Sequence, residues 1–500
     1  MSLITNLKHS FFRNPMLFGL FILSVTAIFS SGYDFADEHF QILEFANYKL
    51  GNTTAATLPW EFEAQMRPAL QPFIAFVIIK FMNMLSLSNP FLIAGILRFI
   101  SVIIAMIAIR LLHKAITSLT DYKISSGLLY GFFILSWFFP YNFVRFSSEN
   151  WSGAFFAMGL ALYLLSKKSK NSILLASGIL CGLSFLFRYQ TAFMTVGLGL
   201  RMIFIARDKF KSISLFAAGN IISILTGILI DKWFYGNWVL SFCNYIDFNL
   251  IQDKVSEFGI LPWWFYFEAV FNKAAPPFGI LLIVSFLWVC IRFPKNIITW
   301  VSIPFVLIHF IIGHKELRFL YPLMYLIPVF ICLFIISIKD YKFIQQLISR
   351  KFTKVVIVFF ITLNIVLLAI MCFKPADEMI SLYRRVYNIA ETGKTELIIA
   401  GNENPYFRGG KNLAVTYYKN PNISFRQLQS ADMLSDTLLK DTLNIRYLYA
   451  VKKFDARSRF EMNNLHFSKI YQTYPQWVEN FNINNWMSRT KVWTMYEVKK

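Results

Sequence analysis

Apolar runs, each near the length of a membrane-crossing helix, recur near residues 14–31, 70–88, 91–112, 124–140, 151–166, 171–187, 190–206, 212–230, 277–291, 296–312, 319–338 and 355–373. An α-helix needs roughly 20 mostly apolar residues to cross the hydrocarbon of a bilayer. The pattern therefore predicts an all-α polytopic membrane domain over residues 1–373. After Cys372 the pattern changes, and residues 374–500 hold no membrane-length run. There TELIIAGN (395–402), NIRYLYAVKK (444–453) and KVWTMYEVKK (491–500) predict strands, and SADMLSDTLLKDT (430–442) predicts a helix. This second part reads as a small extracytoplasmic α/β domain. The run from Pro15 to Ser31 follows Lys8 and Arg13 in the manner of a signal peptide. It is long and lacks a small-residue cleavage site, so it reads as an uncleaved first span.

Charge placement decides which runs cross. If all twelve do, the basic loops at 110–123, 167–170 and 207–211 fall outside, against the rule that Lys and Arg gather in cytoplasmic loops. If the 70–88 run instead lies at the outer interface, as a juxtamembrane or re-entrant helix, every loop falls into place. The inner segments then hold 18 Lys and Arg and the outer ones 9, with 13 of the 16 acidic residues before position 374 outside. The two prolines of RPALQP (67–72) suit a helix that begins at the interface. The expectation is about eleven transmembrane helices plus an outer juxtamembrane helix, with the N-terminus inside and the C-terminus outside.

Composition agrees. Hydrophobic residues make up 56% of the chain and charged residues 15%, against about 25% charged in soluble domains. A net charge of +21 could suggest nucleic acid. The cations sit in short loops between spans, so the charge is a topology signal and no nucleic-acid partner is expected. Five cysteines, none in the polar tail and none in CxxC, indicate neither a disulfide framework nor a zinc site. The chain has no GxxxxGK[ST], no GxGxxG after a strand and no Asp-x-Asp. Nothing therefore suggests a soluble nucleotide or a metal-held nucleotide sugar, and an activated donor is expected to reach the site through the membrane.

The eleven-span topology brings several charged stretches to one face. In DEHFQILE (37–44), Asp37, Gln41, Glu44 and Tyr48 share one stripe of a regular helix, which reads as a carboxylate base at a cavity mouth or as a solvated helix start. LPWEFEAQMRP (58–68) adds Trp60 as an interfacial anchor and Glu61 six residues before Arg67. YNFVRFSSENW (141–151) sets Arg145 and Glu149 four apart, the spacing of a helix-surface ion pair. Arg188, between two spans, suits bidentate capture of a phosphate or simple snorkelling. GHKELRFLYP (313–322) crowds His314, Lys315, Glu316 and Arg318 into one short outer turn, for which an anionic ligand such as a lipid phosphate is the natural reason.

Taken in order, Asp37-Glu38-His39-Phe40-Gln41-x-x-Glu44, Trp60-Glu61, Arg67, Arg145-x-x-x-Glu149 and His314-Lys315-Glu316-x-Arg318-Phe319 resemble glycosyltransferase family 22. These are Alg9- and PIG-B-like mannosyltransferases of the GT-C fold, and the resemblance covers roughly residues 15–338. Phe35-Ala36 stand where the family usually has His-Pro, and Pro59 where a Thr often precedes the Trp-Glu pair. The resemblance implies inverting transfer of a sugar, by family mannose, from a polyprenyl-phosphate donor to a glycan or glycolipid acceptor. Asp37 is then the expected general base and Glu38 its alternate. Arg188, His314, Lys315 and Arg318 are expected on the donor phosphate. Gln41, Glu44, Trp60, Glu61, Arg67, Arg145, Glu149 and Glu316 are expected to orient substrate or the arginines. No cofactor or metal is required by this chemistry, and membrane lipids, the donor and the acceptor are the expected partners. A multi-pass location is expected, in a bacterial inner membrane with a periplasmic site or in the endoplasmic reticulum of a eukaryote. Two rivals fit less well. A transporter or flippase for lipid-linked glycans needs charge along a path inside the spans, and a sensor or scaffold leaves the one-sided charge clusters unexplained.

Overall fold

The computed structural model describes residues 14–119, 124–166, 171–401, 403–407, 413–428, 445–452, 466–482, 485–487, 490 and 492–499. Every one of the twelve apolar runs is helical over most of its length. Among the described residues, Pro90–Ser118, Tyr189–Ala206, Phe210–Tyr235 and Lys351–Phe373 are each long and apolar enough to cross a membrane. Two further pairs qualify jointly but are bent: Pro276–Arg292 with Ile297–Ile311, by 117°, and Leu317–Tyr325 with Ile327–Ile338, by 67°. Pro15–Phe29, Leu70–Met84, Ser126–Leu135 and Asn171–Phe187 are shorter apolar helices. The chain is a multi-pass membrane protein. Among the described residues, length and composition alone give four spans, or six with each bent pair counted once, so they do not reach the count that charge placement predicts.

The chain divides into two compact units. One comprises residues 1–30, 61–74 and 95–374; the other comprises 31–60, 75–94 and 375–500. The stretch that follows the first helix, with Asp37 and Glu38, thus groups with the C-terminal residues.

In the helical unit, Asn171–Phe187 and Phe210–Tyr235 cross at small residues. A Cβ on Gly178 would lie 2.1 Å from the Phe216 carbonyl oxygen, and one on Gly219 would lie 2.3 Å from that of Leu175. Gly182 faces Ser223, whose hydroxyl donates to the Ile179 carbonyl at 2.8 Å. Small residues spaced by four let two backbones approach where lipid supplies no hydrophobic drive.

Among the described residues, the C-terminal unit carries a five-stranded sheet: β1 (Thr395–Ala400), β2 (Ile423–Leu428), β3 (Arg446–Lys452), β4 (His466–Gln472) and β5 (Trp493–Lys499), in the order β2-β1-β3-β5-β4. The β1 strand runs parallel to β2 and β3, and β5 is antiparallel to β3 and β4. The three strands expected from sequence are β1, β3 and β5, the inner ones. A helix, Ile380–Ala390, precedes β1. The helix expected at 430–442 lies outside the described residues.

Candidate active site

The stretch 36–49 is not one regular helix. An α-turn at Ala36–Glu38 passes into a π-helix, His39–Leu43, and returns to α over Glu44–Lys49. The wider turn inserts one extra residue and shifts the phase of all that follows; such bulges recur at functional sites. The expected stripe of Asp37, Gln41, Glu44 and Tyr48 is therefore split. Asp37 and Gln41 stay partly exposed, whereas Glu38 and Glu44 are buried. The π spacing instead aligns His39 with Glu44, whose Oε1 accepts from His39 Nε2 at 2.8 Å.

The Glu44 carboxylate is further occupied. Its Oε1 accepts from the backbone N–H of Thr416 at 2.6 Å and of Tyr417 at 2.9 Å, and its Oε2 accepts from the Thr416 hydroxyl. His39 is fully buried and stacks on Tyr33 (centroids 4.7 Å apart) and Tyr418 (5.4 Å). Glu38 Oε2 accepts from the Asp34 N–H at 3.3 Å, steadying the turn that presents Asp37. Trp60 is 40% exposed, as an interfacial aromatic would be.

The helical unit builds a separate charged cluster. Arg188, at the turn after Asn171–Phe187, donates to Glu149 Oε1 at 2.7 Å, and both side chains are nearly buried. Arg318 grips Glu316 with two bonds, Nε to Oε2 at 2.7 Å and Nη2 to Oε1 at 2.9 Å, and reaches within 4.0 Å of Glu149. Phe319 lies beside both guanidinium groups, 5.0 Å from that of Arg188 and 5.7 Å from that of Arg318. His314 Nε2 meets Glu316 Oε1 at 3.3 Å. Three of the four groups expected from sequence to serve the donor, Arg188, Arg318 and His314, thus come together with Glu149 and Glu316.

Two expected residues, Arg145 and Lys315, do something other than the sequence suggested. Arg145 lies before the helix Ser148–Ser166, so it cannot form an i, i+4 helical pair with Glu149; its Nη1 donates to the Ser30 carbonyl at 2.8 Å. Lys315 turns back to the Ile312 and Gly313 carbonyls, just past the end of Ile297–Ile311, and burial lowers its pKa. Glu61 and Arg67 do pair, at 3.2 Å, with the Arg67 guanidinium 5.8 Å from the ring of Tyr245.

Sequence reasoning did not single out the node beneath that pair. Asp231 is buried in the last turns of Phe210–Tyr235; its Oδ1 accepts from the Ala69 N–H at 2.9 Å and its Oδ2 from the Ser241 hydroxyl. Ser241 Oγ in turn bonds the Tyr189 hydroxyl at 2.6 Å, one residue past Arg188. One helix turn below, Tyr235 donates to the Arg67 carbonyl at 2.8 Å. This helix end therefore ties the Glu61–Arg67 segment to the Arg188 turn. The signal available was a lone acid at the end of an apolar run.

A profile of the Alg9-like mannosyltransferase family matches residues 16–402. The chain belongs to that family. The GPI alpha-1,2-mannosyltransferase 3 of Bos taurus is 26% identical over 317 residues, which are 61% of this chain and 56% of that protein. Mannosyltransferase APTG1 of Arabidopsis thaliana is 25% identical over 354 residues, 67% of this chain and 60% of that protein. The match spans little more than half the length of these curated relatives. Among solved structures, the crystal structure of ArnT from Cupriavidus metallidurans bound to undecaprenyl phosphate aligns over 96% of this chain and 97% of that one, with a TM-score of 0.55 at 9% identity. That likeness shows a shared fold, GT-C, with a mostly helical body and a small C-terminal sheet domain.

Proposed function

We propose that this protein is an inverting membrane glycosyltransferase that moves mannose from a polyprenyl-phosphate donor to a hydroxyl of a glycan or glycolipid acceptor on the non-cytoplasmic face. The observation that carries the reading is the cluster of buried Arg188, Arg318 and Glu149 with half-buried Glu316, in a chain of a mannosyltransferase family. Two guanidinium groups beside an aromatic ring are well suited to a phosphate monoester. The relatives' names supply mannose and an α-linkage, and ArnT's bound undecaprenyl phosphate supplies the class of lipid carrier.

In this reaction the acceptor oxygen attacks the anomeric carbon as the bond from that carbon to the phosphate oxygen breaks. A β-linked donor then yields an α-linked product and free polyprenyl phosphate. The Asp37 carboxylate takes the acceptor proton, with Glu38 as alternate. Arg188 and Arg318, with His314, offset the charge that grows on the departing phosphate. Glu149 and Glu316 hold the arginines, and Glu61, Arg67 and Gln41 orient sugar hydroxyls. Phosphate is already a good leaving group, so the chemistry requires no metal. The topology that goes with this reading has eleven spans and the helix Leu70–Met84 at the outer interface. The outer face is periplasmic in a bacterium and lumenal in an endoplasmic reticulum.

The test is transfer of labelled sugar from a panel of polyprenyl-phosphate donors to a panel of acceptors by purified protein. Wild type is expected to transfer mannose. Asp37→Asn is expected to insert normally and lose about 10²–10⁴-fold in rate. An unchanged rate in Asp37→Asn removes the assigned base. Movement of intact lipid-linked glycan without transfer favours the transporter instead.

A further inference from the structure

We propose that the C-terminal unit positions the Asp37–Glu38 turn, acting through Glu44 and His39, so that the sheet domain is a working part of the transferase. The proposal rests on the reading of Asp37 and Glu38 as the reactive carboxylates.

The turn is attached to C-terminal residues on both sides. Before it, the Ser31 carbonyl accepts from the backbone N–H groups of Ala376 (2.9 Å) and Asp377 (3.2 Å). Gly32 there adopts φ +88°, and a Cβ on it would lie 2.6 Å from the Asp377 Cβ. After it, Glu44 takes three bonds from Thr416 and Tyr417, Asn47 Nδ2 donates to the Thr416 hydroxyl at 2.9 Å, and Tyr418 covers the His39 ring. Only residues 33–38 run between these anchors.

Glu44 is 1% exposed. A carboxylate so deeply buried is stable only when its lone pairs are filled. Here the filling groups come from His39 and from the 416–417 backbone, and bonds to an ionised acceptor are the stronger kind. The π-turn makes this arrangement: at regular α spacing His39 and Glu44 would diverge by one residue's rotation. Glu44 is thus a positioning residue, and Thr416, Tyr417 and Tyr418 complete a clamp on the base of the reactive turn. Displacing a reacting group by about 1 Å can cost 10²-fold in rate, which is the scale on which such a clamp acts.

Glu44→Gln and Thr416→Val in the full-length protein test the clamp by kinetics and by amide hydrogen exchange. Both variants are expected to lose about 10–10²-fold in kcat, with the KM for the donor within about twofold, because Arg188 and Arg318 make none of these contacts. Amides of 36–49 are expected to exchange faster, while those of Asn171–Phe187 keep their protection. The double variant is expected to be no slower than the slower single variant, since both changes break one linkage. Two results overturn the proposal. One is wild-type kcat in a variant whose 36–49 amides have lost protection; the other is exchange of those amides at the wild-type rate in both variants. Failure of wild-type protein to transfer any lipid-linked sugar defeats the functional reading instead, and the exchange comparison still decides whether the clamp holds.

Discussion

Glu149 illustrates why the buried charges are a package. It sits beside two guanidinium groups with almost no solvent of its own. Removing one partner of a buried pair leaves the other uncompensated, at about 3–5 kcal/mol. Glu149→Ala is therefore expected to lower the melting temperature of the detergent-solubilised protein clearly, while Glu149→Gln, which can still accept from Arg188, costs less. A wild-type melting temperature in Glu149→Ala argues against that burial. Arg188→Lys keeps the charge but loses the planar fork and the contact with Phe319. It is expected to raise the donor KM several-fold, read from donor titrations of the transfer assay. The residue types of this cluster were legible in the sequence, because charge beside apolar runs stands out. Their pairing was not: Glu149 finds Arg188, 39 residues away, in place of the nearby Arg145. Asp231 was legible only as an isolated acid, since its meaning comes from Ala69 and Ser241 meeting it in space.

Elements carry two further expectations. At the crossing of Asn171–Phe187 with Phe210–Tyr235, Gly178→Leu drives a side chain into the Phe216 carbonyl, a clash that only separation of the helices relieves. Folded, membrane-inserted protein is expected to fall sharply, measured as monodisperse yield by size exclusion; a wild-type yield speaks against this packing. The π-turn offers the converse case. Deleting Ile42 sets His39 and Glu44 four apart, a spacing that an ordinary α-turn also keeps on one face, so the pair and membrane insertion are expected to persist; faster amide exchange over 36–49 in that variant speaks against the turn as described. Helix existence was plain from the apolar runs, because each must bury or face lipid along its whole length. The π-turn was not, because hydrophobic periodicity over a dozen residues does not resolve one inserted residue. The sheet shows the same limit. Inner strand β1 is buried at all six positions and carries the apolar stretch 397–400, whereas edge strands β2 and β4 are largely half-exposed or exposed and carry little signal.

For the whole molecule, topology is the testable quantity. A membrane-impermeant thiol reagent is expected to label Glu257→Cys from the outer face and Lys342→Cys only from the inner face; labelling of both from one side removes the eleven-span arrangement. Helix lengths do not decide this question, because several helices are short or bent and a bilayer is read by charge as well as by length. The sequence by itself determined that the chain is a polytopic membrane protein with a polar C-terminal domain, and which charged residues merit chemical attention. It could do so because burying apolar surface and placing cations in loops are local demands, met residue by residue. Only the tertiary structure decided that residues 31–60 belong with residues 375–500, that Glu44 spends its carboxylate on Thr416 and Tyr417, and that Arg188 faces Glu149. Hydrogen-bond partners are chosen by distance in space, and a sequence records only distance along the chain.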